Sequence, residues 1–242
     1  MRRNALQALL AVLACAAIAV AVWHLLAARD GLVRETIAIG DVPATVFRPA
    51  DRKPAPVVVI AHGFAGSQQL MESFATTLAR NGYVAVTFDS AGHGRNPKPL
   101  TGSVTEASGA TRTLVGELTA VAAHARSLGD GRLAVLGHSM ASDIIVRFAA
   151  SRPDVAATIA VSMFSPAVTA TQPRNLLVIV GDWEGMLKTE ALRVVGLVSA
   201  PLPPQPGVTY GDPAAGTARR AAFSPGVEHV AVLYSRDSLR EA

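Results

Sequence analysis

The sequence predicts an α/β protein: a mostly parallel, doubly wound sheet with helices on both faces, preceded by one helix long enough to cross a membrane. Three observations carry that expectation. From residue 55 onwards short apolar runs alternate with segments of helical length, the chain order of strand–helix–strand crossovers. Several runs, such as "VVVI" at 57–60 and "LLVIV" at 176–180, are continuously apolar, as in strands buried on both faces. The N-terminus carries no polar side chain from Ala8 to Trp23.

That first stretch, "MRRNALQALLAVLACAAIAVAVWHLLAARD", is a short basic head followed by an apolar run. As a helix it spans roughly 30 Å, the thickness of the hydrocarbon core. A cleaved signal peptide has a shorter apolar region and small residues at the cut. "LAA" at Leu26 to Ala28 is a poor cleavage site, and residues 1–28 are expected to form an uncleaved signal anchor, with 5–27 in the membrane. Cleavage is the alternative. A lipoprotein-type site at "VLAC" (Val12 to Cys15) ranks third, because the residues after Cys15 stay apolar through Leu26 where a tether is polar. Arg2 and Arg3 favour a cytoplasmic N-terminus, which puts residues 29–242, a single domain, outside the cytoplasm.

Beyond the anchor each element follows from its local pattern. "TIAIGDVPATVF" (36–47) has a Gly-Asp pair between β-prone runs and reads as a hairpin. "APVVVIAHG" (55–63) is a buried strand, and "SQQLMESFATTLARNG" (67–82) is a helix with Leu70, Phe74 and Leu78 on one face. "YVAVTFD" is strand, "TLVGELTAVAAHARSLGDG" helix, "RLAVLG" strand and "MASDIIVRFAASRPD" helix. "VAATIAVSMF" and "LLVIVGD" are strands, "MLKTEALRVVGLV" a helix, and "GVEHVAVLYS" is expected as the closing strand. "APLPPQPGVTYGDP" reads as a proline-rich surface loop.

Composition narrows the function classes. The net charge is +4, and removing Arg2 and Arg3 leaves 20 basic against 18 acidic residues. That balance, scattered along the chain, argues against a nucleic-acid partner. The single cysteine, Cys15, forbids an intrachain disulfide. None of the histidines has H-E-x-x-H spacing or a second ligand close in sequence, and "AHGFAGSQQL" lacks the lysine of a phosphate-binding loop. No metal and no cofactor are expected.

In parallel sheets, active residues gather on loops at the C-terminal strand ends. Ser139 stands there, in "GHSMA" (137–141), between a strand and the helix that starts at once. A serine on that bend projects its hydroxyl above the sheet beside the N–H groups of the helix N-terminus. The commoner role for a serine before a helix is an N-cap. "AHGF" follows the most apolar strand, and the N–H groups of Phe64 and Met140 are the candidate oxyanion donors. Of six histidines only His229 lies beyond Ser139, in the slot that a Ser…acid…His order requires. Seven acids lie between them, and only Asp182 and Glu184, in "LLVIVGDWEG", directly follow a buried strand.

With "HGF" at 62–64, "FDSAGHGRN" at 88–96, "GHSMA" at 137–141, "VGDWE" at 180–184 and "VEHV" at 227–230, each at a strand end, the chain resembles the α/β-hydrolase-fold family from about Thr36 onwards. The resemblance implies an acid three residues after the glycine that ends its strand, which lands on Glu184, with Asp182 as the alternative. It departs at Ala141, a glycine in many members, and at Ser90, often an arginine. Only "SPAVTATQPRN" separates two strands where a lid would be inserted, so little or no cap is expected. After His229 the resemblance implies a full covering helix, for which "SRDSLREA" leaves one or two turns.

The resulting expectation is a membrane-anchored serine hydrolase of the α/β-hydrolase type, acting on a small-molecule or lipid-like acyl substrate. An ester is the default; a thioester or amide is the variant. The alternative from another class is a non-catalytic binding or membrane-scaffold protein on the same fold.

Overall fold

The structure is a computed structural model that describes residues 2–103 and 108–242. An apolar helix, α1 (Arg2–Ala27), leads the chain, and its 24-residue apolar segment Asn4–Ala27 is long enough to cross a membrane. The hairpin strands β1 (Leu32–Ile39) and β2 (Val42–Pro49) follow, then β3 (Val57–Ala61), a 3₁₀ turn at Gln68–Met71 and α2 (Glu72–Arg80). Next come β4 (Val84–Phe88), α3 (Ala110–Arg126), β5 (Leu133–His138), α4 (Met140–Ala150), β6 (Val155–Val161), β7 (Leu176–Gly181) and α5 (Gly185–Ser199). The two-residue β8 (Thr209–Tyr210), β9 (Arg219–Ser224), a 3₁₀ turn at Ala231–Leu233 and α6 (Arg236–Glu241) complete the chain.

The strands form one sheet in the order β1-β2-β4-β3-β5-β6-β7-β9-β8. From β4 to β9 every neighbouring pair is parallel; the hairpin at one edge and β8 at the other pair antiparallel. β3 shows why this requires helices on both faces. Val57 and Val59 enter one core with residues of α3, α4 and α5, whereas Val58 and Ile60 enter the other with Phe74 and Leu78 of α2. Successive strand residues point to opposite faces, so a strand with no exposed face reads as a continuous apolar run. Leu239 of α6 also packs on the second core, alongside the 3₁₀-turn residues Val232 and Leu233.

Two sequence expectations are corrected. The closing strand is not "GVEHVAVLYS" but Arg219–Ser224, "RRAAFS". Its two arginines disguise it: Arg219 is fully buried and spends its guanidinium on the carbonyls of Ala218 and Thr169. The apolar run "VAVL" instead folds as a turn that inserts Val232 and Leu233 into the core. β6 ends at Val161 rather than Phe164, because Ser162 has a φ of +53° and leaves the extended conformation. The proline-rich segment also supplies the short edge strand β8.

Candidate active site

The C-terminal ends of β3, β5, β6, β7 and β9 meet along one edge of the sheet, and the five loops that leave them build the site. Ser139 sits between β5 and α4 with φ +54° and ψ −119°. That is strained backbone for a residue with a Cβ, of a kind that costs on the order of 1–3 kcal/mol. Neighbouring hydrogen bonds hold it: its N–H donates to Val161 O at 2.9 Å, and its carbonyl accepts from Ser142 N at 2.8 Å and Ser142 Oγ at 2.6 Å. Its side chain makes no capping bond to α4, so the hydroxyl is left for another partner.

That partner is His229, in the loop after β9. Ser139 Oγ donates to His229 Nε2 at 2.8 Å, and His229 Nδ1–H donates to Glu184 Oε1 at 2.6 Å. Glu184 follows β7 and its side chain is 6% exposed. Its second oxygen, Oε2, accepts from Gly181 N at 2.7 Å and from Ser162 Oγ at 2.8 Å. Glycine is required at 181: a Cβ there would lie 2.6 Å from Val227 O and 3.0 Å from Glu184 Oε2. Burial pushes the Glu184 carboxyl up, but the hydrogen bonds from His229, Gly181 and Ser162 together outweigh it and hold the group below its ordinary value. The bond to Glu184 raises His229 above the ordinary imidazole range, against the opposing effect of its own partial burial.

Asp182, the other acid of that loop, is turned away. Its carboxylate pairs with Lys188 Nζ at 2.7 Å and its side chain is 47% exposed. Phe64 and Met140 flank the serine. Gly63 lies so close to the elbow that a Cβ on it would come within 3.0 Å of Ser139 Cβ and 2.9 Å of His138 Nδ1. Among the described residues, neither the Phe64 N–H nor the Met140 N–H donates a hydrogen bond; Met140 opens α4, where helix N–H groups have no intrahelical partner and are left for another acceptor.

Two residues were missed by the sequence reasoning. Ser162 is the first polar residue past β6; the strand-end rule finds it once β6 is ended at Val161. His138 precedes the elbow serine and is buried, and its Nε2–H donates to the main-chain oxygen of His229 at 2.8 Å. Burial pushes its pKa down to about 4, so the ring is neutral and is held as an N–H donor. Only the fold could reveal that pairing, since 91 residues separate the partners. Among the described residues no group of three or more His, Cys, Asp or Glu side chains is arranged to hold a metal ion.

A cavity of about 610 Å³ opens beside Ser139 and His229. Met140, Phe164, Pro166, Met186 and Leu187 supply apolar walls, and Asp143 and Arg147 of α4 lie within it. Among the described residues no inserted domain covers it.

A parallel sheet of this order, with a strained serine elbow after β5 and a histidine loop after the last long strand, defines an α/β-hydrolase fold. Residues 52–202, more than half of the chain, match the family described as serine aminopeptidase, S33, and the chain belongs to that family. Ser139 and Glu184 fall inside the match and His229 outside it. Solved structures share the architecture. A hypothetical protein from Pseudomonas aeruginosa superposes with a TM-score of 0.62 at 12% identity over 86% of this chain and 89% of that one. A membrane phospholipase A described as a bacterial virulence factor gives a TM-score of 0.58 at 15% identity over 100% of this chain and 96% of its own. An epoxide hydrolase from Vigna radiata aligns at 24% identity over 57% of this chain, which spans only 40% of its length, with a TM-score of 0.43.

Proposed function

We propose that the chain is a membrane-anchored serine hydrolase that cleaves a carboxylic ester through an acyl-enzyme on Ser139. The observation that carries this reading is the continuous hydrogen-bond line from Ser139 Oγ through His229 to Glu184, at 2.8 and 2.6 Å. His229 Nε2 takes the hydroxyl proton as Ser139 Oγ attacks the carbonyl carbon. Glu184 keeps the imidazole in the tautomer with its proton on Nδ1 and stabilises the cation that forms. The N–H groups of Phe64 and Met140 receive the oxyanion as it develops. His229 then protonates the departing alcohol, and in the second half it draws a proton from water to release the acid. A thioester or amide would pass through the same steps.

The apolar walls of the cavity support an acyl substrate of lipid-like character, and α1 supports attachment to a membrane. The fold shared with a membrane phospholipase A is compatible with both. In this reading the N-terminus lies in the cytoplasm and the hydrolase outside it, following Arg2 and Arg3.

The test is covalent labelling of the detergent-solubilised chain with a fluorophosphonate, read by intact mass, beside Ser139→Ala and His229→Ala whose folding is checked by circular dichroism. One adduct on the wild type, lost in both variants, is expected. A folded wild type that takes no adduct sinks the enzyme reading.

A further inference from the structure

The cavity beside Ser139 contains a charged pair that the reaction above does not use. Ser139, Met140, Asp143 and Arg147 all line it, and they fall on one face of α4 because positions four apart on a helix stack. Arg147 Nε donates to Asp143 Oδ2 at 2.7 Å, and Asp143 Oδ1 accepts from Ser165 Oγ at 2.6 Å. Both oxygens of the acid are therefore engaged. The arginine is not: among the described residues its two terminal amino groups donate to nothing.

A guanidinium has five N–H donors and no acceptor. Asp143 holds one edge and fixes the plane, which leaves the fork of terminal amino groups unoccupied in a cavity whose other walls are mainly apolar, apart from Ser139, Ser162 and His229. That fork matches the paired oxygens of a carboxylate or phosphate. An i,i+4 ion pair is an ordinary helix-surface device, but this one lies in the cavity that opens on the serine rather than on an outer face of α4. Arg147 leans back towards Asp143, four residues beyond Ser139, so the fork lies about 6–10 Å along the helix from the serine at roughly 1.5 Å per residue.

We propose that Arg147 reads the substrate of this pocket, binding a carboxylate or phosphate that the ester carries about 6–10 Å from its scissile carbonyl. The inference rests on the ester-hydrolase reading above and adds a substrate class to it: acyl esters with an anionic group set off by a short apolar spacer. Such an anion can sit at the far end of the acyl chain or on the alcohol side, and the guanidinium chemistry is shared by both.

The test compares kcat/KM for matched pairs on the full detergent-solubilised chain. One arm sets mono-4-nitrophenyl adipate and suberate against 4-nitrophenyl hexanoate and octanoate. The other sets dihexanoylglycerol phosphate against dihexanoylglycerol. In at least one arm the anionic partner should be favoured by about tenfold or more, and the arm that responds shows which side of the ester carries the charge. Arg147→Met and Arg147→Gln should bring that ratio to within about twofold of one, while Arg147→Lys keeps part of it because the charge stays and the fork is lost. A ratio is read on the active molecules of each preparation, so partial misfolding of a variant does not mimic the effect. Ratios at or below one in both arms overturn the proposal, as does a preference that survives in the Met and Gln variants. Turnover with no anionic preference sinks this inference alone. No turnover of any probe, with no fluorophosphonate adduct, sinks the hydrolase reading and this inference with it.

Discussion

The two edges of the parallel sheet are built to different rules. At the N-terminal edge ion pairs tie the approaches to two strands: Arg132 with Asp130 at 2.6 Å in the turn before β5, and Arg126, at the end of α3, with Asp154 at 2.5 Å before β6. Two non-glycine residues with positive φ stand there, Arg52 and Asn175; asparagine tolerates that conformation, and the Asn175 side-chain amide bonds to Ala156 O and Pro213 O. At the C-terminal edge the positive-φ residues after β5 and β6 are serines, Ser139 and Ser162, both tied to the acid–imidazole line. The same edge leaves Phe64, Phe164, Trp183 and Met186 exposed. The first edge is tied by ion pairs; the second sets strained serines beside uncovered apolar side chains.

Substitutions sharpen this contrast. The largest effect is expected from Ser139→Ala, which should lower kcat by about a million-fold. Because it removes no core contact, it should leave the thermal midpoint nearly in place, checked by esterase assay and calorimetry. Glu184→Gln comes next, at about ten-thousand-fold in kcat, since an amide favours the wrong imidazole tautomer. Asp182→Asn in the same loop should change kcat by less than about threefold, in keeping with the near-neutrality of exposed ion pairs. If Asp182 proved the more costly of the two, the assignment of the acid would reverse.

His138→Leu is expected to cost about a hundred-fold in kcat with little change in KM, the scale of an ångström misplacement of a catalytic group. His138→Gln, which can present an amide N–H to the same carbonyl, should recover most of it. Equal losses in the two variants would reduce His138 to packing. The pH profile tests the same loop. His229 accepts a proton only when neutral, and Glu184 raises its pKa, so kcat/KM should rise with pH through a limb above the ordinary histidine value. In Glu184→Gln that limb should move to lower pH. The smallest effect belongs to the other edge: Asp154→Asn, removing a half-exposed ion pair, should shift stability by under about 0.5 kcal/mol in urea titration.

How much of this could be read from the residues differs along the chain for a physical reason. β3, β5 and β7 are buried on both faces, so composition alone marks them, and the turns that follow them expose Ser139 and the two candidate acids. The choice between those acids lay beyond composition, because it depends on which carboxylate the strand end turns inward and which one finds Lys188. β9 was illegible because the fold supplies partners for its arginines: main-chain carbonyls for Arg219, and the Glu241 carboxylate with the Gly207 carbonyl for Arg220. His138 and Ser162 stayed hidden for a related cause: each acts on a residue distant in the sequence, through a hydrogen bond that local pattern does not encode.

The pairing of β7 with β9 has a consequence for how this chain tolerates change. Leu176 through Gly181 align one to one with Arg219 through Ser224, and the loop bearing the imidazole leaves directly from the end of that ladder. Sheet register therefore acts as a ruler for the base. A slip of one position would displace the loop by about 3.3 Å and turn each side chain of β9 to the opposite face, breaking a contact that is 2.8 Å long. Insertions in the proline-rich span before β9 leave the ruler intact. A single residue added within "RRAAFS" resets it, so length matters more than composition in those six residues.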